Sequence, residues 1–455
     1  MKFEHNNISP LDSRYAEKIV PIREAFSEKA LIKTRFIIEI NWLLFLCNKM
    51  PNDFPKLSKT SINKILKFRE SFSDKDVIKI KKIESVTNHD VKAIEYFIAD
   101  FFKRDKQLKK YINLIHYGLT SEDINSLSYA IMIKKGAEDY LQYIQNLNKV
   151  IKSLSRKWKS IPLLSRTHGQ AASPTTIGKE LKVFGARIDR EINTFKNIKP
   201  LAKFSGATGN YHTFEITNNK IDWPTMTSKF IKSFGVNQNP LTTQIESHDW
   251  IAEMSHSIIR INNISTDLCQ DMWIYISNNI FKLKLNKNEV GSSTMPHKVN
   301  PIDFENAEGN LSIANGLIIA LKNKIQISRL QRDLSDSTVL RNIGSLFAYI
   351  VISLNSLKKG IAKIEPNKEL ILKDLDNSWE ILTEAIQTIL RKNGVEDSYT
   401  KIKSISRGKK LDYHSYIKII DDLKINKADK ELLLSLTPKK YIGLAEKLAK
   451  SSFKS

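Results

Sequence analysis

Apolar residues recur in steps of three and four along several long stretches of the chain. Ile144, Leu147, Ile151, Leu154 and Trp158 mark one stripe. Ile251, Met254, Ile258, Ile261, Leu268 and Met272 mark another, with Ser265 in the same register. Phe304, Ala307, Leu311, Ala314, Ile318, Leu321 and Ile325 mark a further one. Sustained spacing of this kind predicts long amphipathic helices packed in coiled-coil fashion. The expected fold class is therefore all-α, a bundle of long helices with little or no sheet. One small domain does not cover apolar faces of that length, so oligomerisation is expected to complete the bundle.

The rest of the chain divides around the bundle. Residues 1–111 read as an N-terminal helical domain, with helical patterns from Pro21 to Cys47 and from Val91 to Phe102. Asn88 and Asp90 have the side chains of caps for the second of these. Residues 112–361 hold the long helices, and residues 362–455 read as a C-terminal domain of shorter helices. The last segment is broken at Pro366, Gly394, Gly408 and Pro438, and Tyr441 to Ala445 reads as its final helix.

Composition changes the picture little. Of 455 residues, 41% are hydrophobic and 27% charged, ordinary values for a soluble globular protein. The 72 Lys+Arg against 49 Asp+Glu give a net +23, which raises the question of nucleic acid. The lysines are scattered along polar helix faces, however, and no zinc-finger or RNP-type string occurs. The surplus reads as solvated surface, with a small part left to attract an anionic substrate. Cys47 and Cys269 lie among apolar residues and are expected as free thiols in a reducing compartment. The N-terminal Met-Lys-Phe-Glu-His-Asn-Asn has no apolar signal core. The Phe36–Cys47 stretch contains Glu39 and Asn41 and is too short to span a bilayer. A cytoplasmic protein with no membrane partner is the expectation.

Candidate chemistry lies in a few short strings. Residues 289–303 form a loop with hydroxyls at Ser292, Ser293 and Thr294, followed by Lys298 and Asn300, and Pro301 allows a helix to begin there. Loops of this composition can order over a substrate. His168 follows Ser165-Arg166-Thr167 at an irregular junction before a helix. Thr120 and Ser121 precede Glu122 and Asp123, an ordinary helix start that also suits an anion. Arg329, Arg332 and Arg341 are interleaved with Ser337 and Thr338, a pattern that suits a phosphate. Gly206-Ala207-Thr208-Gly209 lacks the strand of a dinucleotide fingerprint. His248 and His256 flank Glu253 without the spacing of a zinc site, so neither metal nor cofactor is expected.

The string from Gly291 to Pro301, Gly-Ser-Ser-Thr-Met-Pro-His-Lys-Val-Asn-Pro, resembles the signature of the fumarase/aspartase superfamily. So does Arg166-Thr167-His168-Gly169-Gln170, although Ala171 stands where that family usually has proline. Asn88-His89-Asp90-Val91 and the Arg329–Arg341 string are similar to the adenylosuccinate lyase family, in its longer bacterial form, rather than to fumarase, aspartase or argininosuccinate lyase. The resemblance runs from Ser9-Pro10 to Thr437-Pro438.

That resemblance implies a homotetramer of three-domain, all-α chains, with each active site shared between subunits. It implies β-elimination of fumarate from adenylosuccinate and from succinylaminoimidazole carboxamide ribotide (SAICAR). Ser292 would be the general base and His168 the general acid. Lys298 would stabilise the base and Glu305 would orient the histidine. Thr120, Ser121, Gln244, Ser293, Lys298 and Asn300 would hold the succinyl carboxylates. Asn88, His89 and Asp90 would contact ribose and base, and Arg14, Tyr15, Arg332, Ser337, Thr338 and Arg341 the phosphate. Asn306 is a further substrate-binding candidate. Two alternatives stay open: another fumarate-releasing lyase such as argininosuccinate lyase, and a non-catalytic basic scaffold that binds RNA.

Overall fold

The computed structural model describes residues 6–50, 52–284 and 294–451. The long apolar stripes become long helices, including Ser121–Lys157, Asp249–Ser277 and Ile302–Ile325. Every member of the Phe304-to-Ile325 stripe is buried, as is every member of the Ile251-to-Met272 stripe including Ser265. The Ile302–Ile325 helix starts directly after Pro301, as proline's missing donor allows. Ile318 is fully buried in it, so Ile318→Ala should cost about 2–5 kcal/mol of stability. Denaturant unfolding would measure this, and a loss below about 1 kcal/mol would mean the stripe is not tightly packed.

The chain divides into two compact units. The first comprises residues 1–143, 192–262 and 310–352. Its core is aromatic. The Trp42 ring meets Phe45, Phe204, Phe214 and Phe230 at centroid distances of 5.7, 5.0, 6.0 and 5.0 Å. Phe26 stacks on Phe347 at 5.2 Å. It lies so close to Gly136 and Gly344 that a Cβ there would come within 2.3 and 2.6 Å of it.

The second unit comprises residues 144–191, 263–309 and 353–455. Among the described residues it holds two small antiparallel pairs, Pro162–Thr167 with Gln170–Thr176 and Phe281–Leu283 with Ile364–Pro366. In the first unit Leu201–Ala202 pairs in parallel with Asn237–Gln238 over two residues each. The fold is mostly helical, as expected, and the sheet among the described residues is short connecting structure.

Ser335–Lys363 is long and apolar enough to cross a membrane by composition alone. Leu346, Phe347, Ile350, Val351, Leu354 and Leu357 within it are all buried, so core packing accounts for its apolarity. Both cysteines are buried and free, and burial pushes the Cys47 thiol up to about 11. At the C-terminal end, Ala445–Lys450 is the last helix among the described residues. Tyr441 ends a short 3-10 turn and Gly443 has a left-handed φ of 50°, so the expected Tyr441–Ala445 helix begins only at its final residue.

Candidate active site

Ser121 opens a helix of 37 residues. The first-turn N–H groups of such a helix have no intrahelical partner, which makes that end attractive to an anion. The turn before it is fixed from beneath. Asp123 is fully buried and pairs with Lys203 Nζ at 2.8 Å. It also accepts the N–H groups of Thr120 and Ser205, both at 2.9 Å. That pins the Gly206–Asn210 string as a loop beside Thr120, with no dinucleotide-binding strand. Gly118 completes the turn at a left-handed φ of 74°, and a Cβ there would lie 2.4 Å from the Phe214 ring.

Gln244 belongs to the same neighbourhood. Its Oε1 accepts from Arg332 Nη1 at 3.2 Å and its Nε2 donates to the Ala207 carbonyl at 2.9 Å. Arg332 also pairs with the buried Glu122 at 3.0 Å. Thus Thr120, Ser121, Gln244 and Arg332 are gathered around one helix start. Arg332, expected toward the phosphate, has its guanidinium on Gln244 and Glu122.

The second gathering centres on Asp90. The Asp90–Lys103 helix is capped by His89, whose ring Nδ1 accepts the Lys92 N–H at 3.1 Å. The expected capping by Asn88 is therefore corrected, and Asp90 serves the helix start from inside its first turn, its Oδ1 accepting the Val91 N–H at 2.9 Å. Asn88 has a left-handed φ of 50° and ends the preceding Asp74–Thr87 helix, a place asparagine tolerates. Asp90 also faces Arg35 Nη1 at 2.9 Å and Arg341 Nη2 at 3.0 Å. Burial works against its charge, but Arg35, the Val91 N–H and Arg341 together outweigh that and hold its carboxyl below the usual range. Arg341 also reaches Glu28 at 3.2 Å. The N-terminal turn is adjacent: Ser9, Asp12, Ser27 and Arg341 share a cavity of about 230 Å³. Arg14 and Tyr15 lie on that turn, where the Tyr15 N–H donates to the Pro10 carbonyl at 2.9 Å. Ser337 and Thr338 sit on the short Ser335–Leu340 helix just before Arg341.

The second unit carries the proton-transfer candidates. His168 is not at a helix junction as expected. It sits with Gly169 at the tip of the hairpin, between the paired residues Thr167 and Gln170. A two-residue hairpin turn that follows strand twist needs positive φ at both positions, here 52° and 75°. Glycine accepts that freely and histidine tolerates it better than most residues. The imidazole is exposed at this tip. Lys298 and Glu305 are also exposed. Among the described residues His168 makes no hydrogen bond to Glu305, whose Oε1 accepts the Trp273 indole N–H at 3.1 Å. Asn306 accepts from Ser356 Oγ at 2.8 Å, and Asn300 is partly buried. Ser292 and Ser293 lie outside the described residues.

The first unit also holds a buried ionic cluster that the sequence motifs do not reveal. Glu122, His248 and Asp336 place ligand-type atoms within 4.8 Å of one another, the spacing of a metal site. Arg332 on Glu122 and the His248 ring between Asp336 and Glu246 put positive charge there already. Burial opposes the imidazolium, yet Asp336 and Glu246 push the His248 pKa up to about 9. Burial likewise pushes Glu122 up, against the field of Arg332. The one signal in the sequence is the polar run from Glu246 to Asp249, since a histidine among acids before a helix invites the question of what neutralises it.

The sign of the His248 shift has a measurable result. A pKa raised from 6.5 to about 9 adds stability that is full below pH 6.5, declines as pH rises, and is gone above 9. Unfolding free energy should therefore fall across that window, and His248→Gln should flatten the fall. An unchanged slope in the variant would mean that His248 is not charged in the fold.

Residues 13–316 match the family model described as Lyase, and residues 328–442 match that described as Adenylosuccinate lyase C-terminal. The chain is 44% identical over 447 residues to the adenylosuccinate lyase of Buchnera aphidicola subsp. Baizongia pistaciae, covering 97% of this chain and 96% of the relative. It is 45% identical over 448 residues to that of Legionella pneumophila strain Corby, covering 98% of each, and 43% identical over 440 residues to that of Escherichia coli K12, covering 96% of each. A fumarate lyase from Mesorhizobium sp. BNC1 shares the fold, with a TM-score of 0.77 at 16% identity, over 94% of this chain and 96% of that one. With a helical fold of that superfamily and full-length relatives of one name, the chain belongs to the adenylosuccinate lyase family, a family of carbon–nitrogen lyases.

Proposed function

We propose that this chain cleaves adenylosuccinate to AMP and fumarate, and SAICAR to the aminoimidazole carboxamide ribotide and fumarate, as a soluble cytoplasmic homotetramer. The observation that carries the reading is the segment from Arg332 to Arg341. Its Arg332 lies with Gln244 beside the Thr120–Ser121 helix start, and its Arg341 lies with Asp90. One short stretch thus touches both places where a succinyl group and a nucleotide would be held. The exposed apolar side chains Ile313 and Ile319 on one long helix, and Trp273 and Ile274 on another, support association.

In the proposed reaction Ser292 removes the proton from the succinyl carbon next to a carboxylate. The electron pair passes first onto that carboxylate as an aci-form, then forms the carbon–carbon double bond as the carbon–nitrogen bond breaks. His168 gives its proton to the leaving nitrogen. Thr120, Ser121, Gln244, Ser293, Lys298 and Asn300 hold the carboxylates as charge builds on them, the contribution expected to matter most. The exposed hairpin tip supports a histidine offered to a neighbouring subunit's site. The division at 1–111, 112–361 and 362–455 stays part of the proposal.

An absorbance assay of adenylosuccinate cleavage by the purified protein tests the reading. Cleavage of argininosuccinate instead, or of neither, would overturn it. Arg341→Lys tests the phosphate end. Lysine lacks the paired donors of the guanidinium, so KM should rise about tenfold for both substrates, with a smaller fall in kcat. An unchanged KM for both would make Arg341 a surface charge paired only with Glu28 and Asp90.

A further inference from the structure

We propose that His248 is a positioning residue whose buried ring ties the loop carrying Gln244 to the helix carrying Ser337, so that one ion cluster sets both ends of the substrate site. The inference rests on the substrate assignment just made, and adds to it a residue that would touch no substrate.

His248 is 3% exposed and has a left-handed φ of 62°, a conformation uncommon for residues other than glycine that histidine adopts more readily than most. Its own N–H donates to Glu246 Oε2 at 2.8 Å. The ring lies between two carboxylates, Nδ1 at 3.6 Å from Glu246 and Nε2 at 3.7 Å from Asp336. Both separations exceed a hydrogen bond, so charge attraction is what joins them. Asp336 is 2% exposed and accepts the N–H of Ser337 at 2.7 Å. Glu246 accepts from Asn239 Nδ2 at 2.8 Å. Around the same point Arg332 bridges Glu122 and Gln244, and the Gln244 N–H donates to the Gln331 carbonyl at 3.3 Å.

The charges explain why a cation is needed there. Glu122 comes from the long helix, Glu246 from the loop and Asp336 from the short helix, and all three are buried. Arg332 faces Glu122. Without His248, Glu246 would lose its counter-charge and Asp336 would keep only the more distant field of Arg332. Buried anions left in that state force their segments apart or take up protons. The segments that would move are those bearing Gln244 and Ser337. A ring that only filled space would be replaceable by any flat side chain, whereas a neutralising ring is replaceable only together with one of its anions.

The test compares His248→Gln with the charge-balanced pair His248→Gln/Asp336→Asn, using the full-length protein and adenylosuccinate. Losing a charged partner costs enough to raise KM by about tenfold or more in His248→Gln, while kcat falls less than about threefold. The double variant should recover a large part of that KM, because the lost cation and the lost anion offset each other. If His248→Gln does not fold, Asp336→Asn alone and the double variant carry the comparison, with the single variant the worse of the two. A wild-type KM in His248→Gln, or a double variant no better than the worse single one, overturns the inference. So does activity that EDTA removes and zinc restores, since the cluster would then hold a metal. A wild-type protein that leaves adenylosuccinate intact would instead defeat the substrate reading itself.

Discussion

Ser292→Ala should lower kcat by about 10²–10⁴-fold and leave substrate binding nearly unchanged, and His168→Ala should do the same. In the proposed reaction each group acts on a proton that is in flight only at the transition state. Its removal therefore lowers kcat and kcat/KM together. The ground-state grip is assigned to other residues, Thr120, Ser121 and Gln244 at one end and Arg341 at the other. Steady-state kinetics with adenylosuccinate, together with binding of the substrate to each inactive variant, would measure both parts. If either variant kept more than about a tenth of wild-type turnover, a loss below ~1.4 kcal/mol, that residue would not be moving the proton.

Mixing those two inactive variants should restore activity. If each site takes His168 from one chain and Ser292 from another, subunit exchange creates some sites with both residues intact. For a symmetric oligomer with random mixing of equal amounts, roughly a quarter of the sites would be intact. The exposed hairpin tip that bears His168 is what motivates the experiment. Hybrid formation would be confirmed with differently tagged chains. Confirmed hybrids without recovered turnover would place both residues of a site on the same chain.

The bundle was legible because its signal is periodic and long. Leu311 and Ile318 repeat a step that no loop sustains, and both are buried. The hairpin at His168 was not legible. Pro162 to Thr176 contains few β-branched pairs in alternation, and its two-residue turn uses His-Gly where Asn-Gly would have been recognised. At Asn88-His89-Asp90 the local jobs expected of the residues were redistributed. Asparagine closed one helix, the histidine ring capped the next, and aspartate was left to hold two arginines. Propensity ranks cap residues one at a time, and tertiary partners such as Arg35 reassign them. The Glu122–His248–Asp336 cluster was out of reach for a stronger reason. Its members are separated by more than a hundred and then by almost ninety positions, and only the fold brings them together.

The two compact units are each stitched from separated stretches of chain, and this bears on how the protein is made. Residues 1–143 find their full set of companions only when 310–352 have been synthesised, and the other unit needs the C-terminal stretch from 353. At about 5–20 residues per second, a ribosome takes roughly 20–70 s to reach that point. In the later part of that time the stripe around Ile144, and then the one around Ile251, is on the nascent chain before the Ile318 stripe has been made. Neither unit of this chain can therefore be completed before residue 352 has been made. Its first half must be kept from sticking to other nascent chains until the second half arrives, and premature termination anywhere before residue 352 leaves no unit complete.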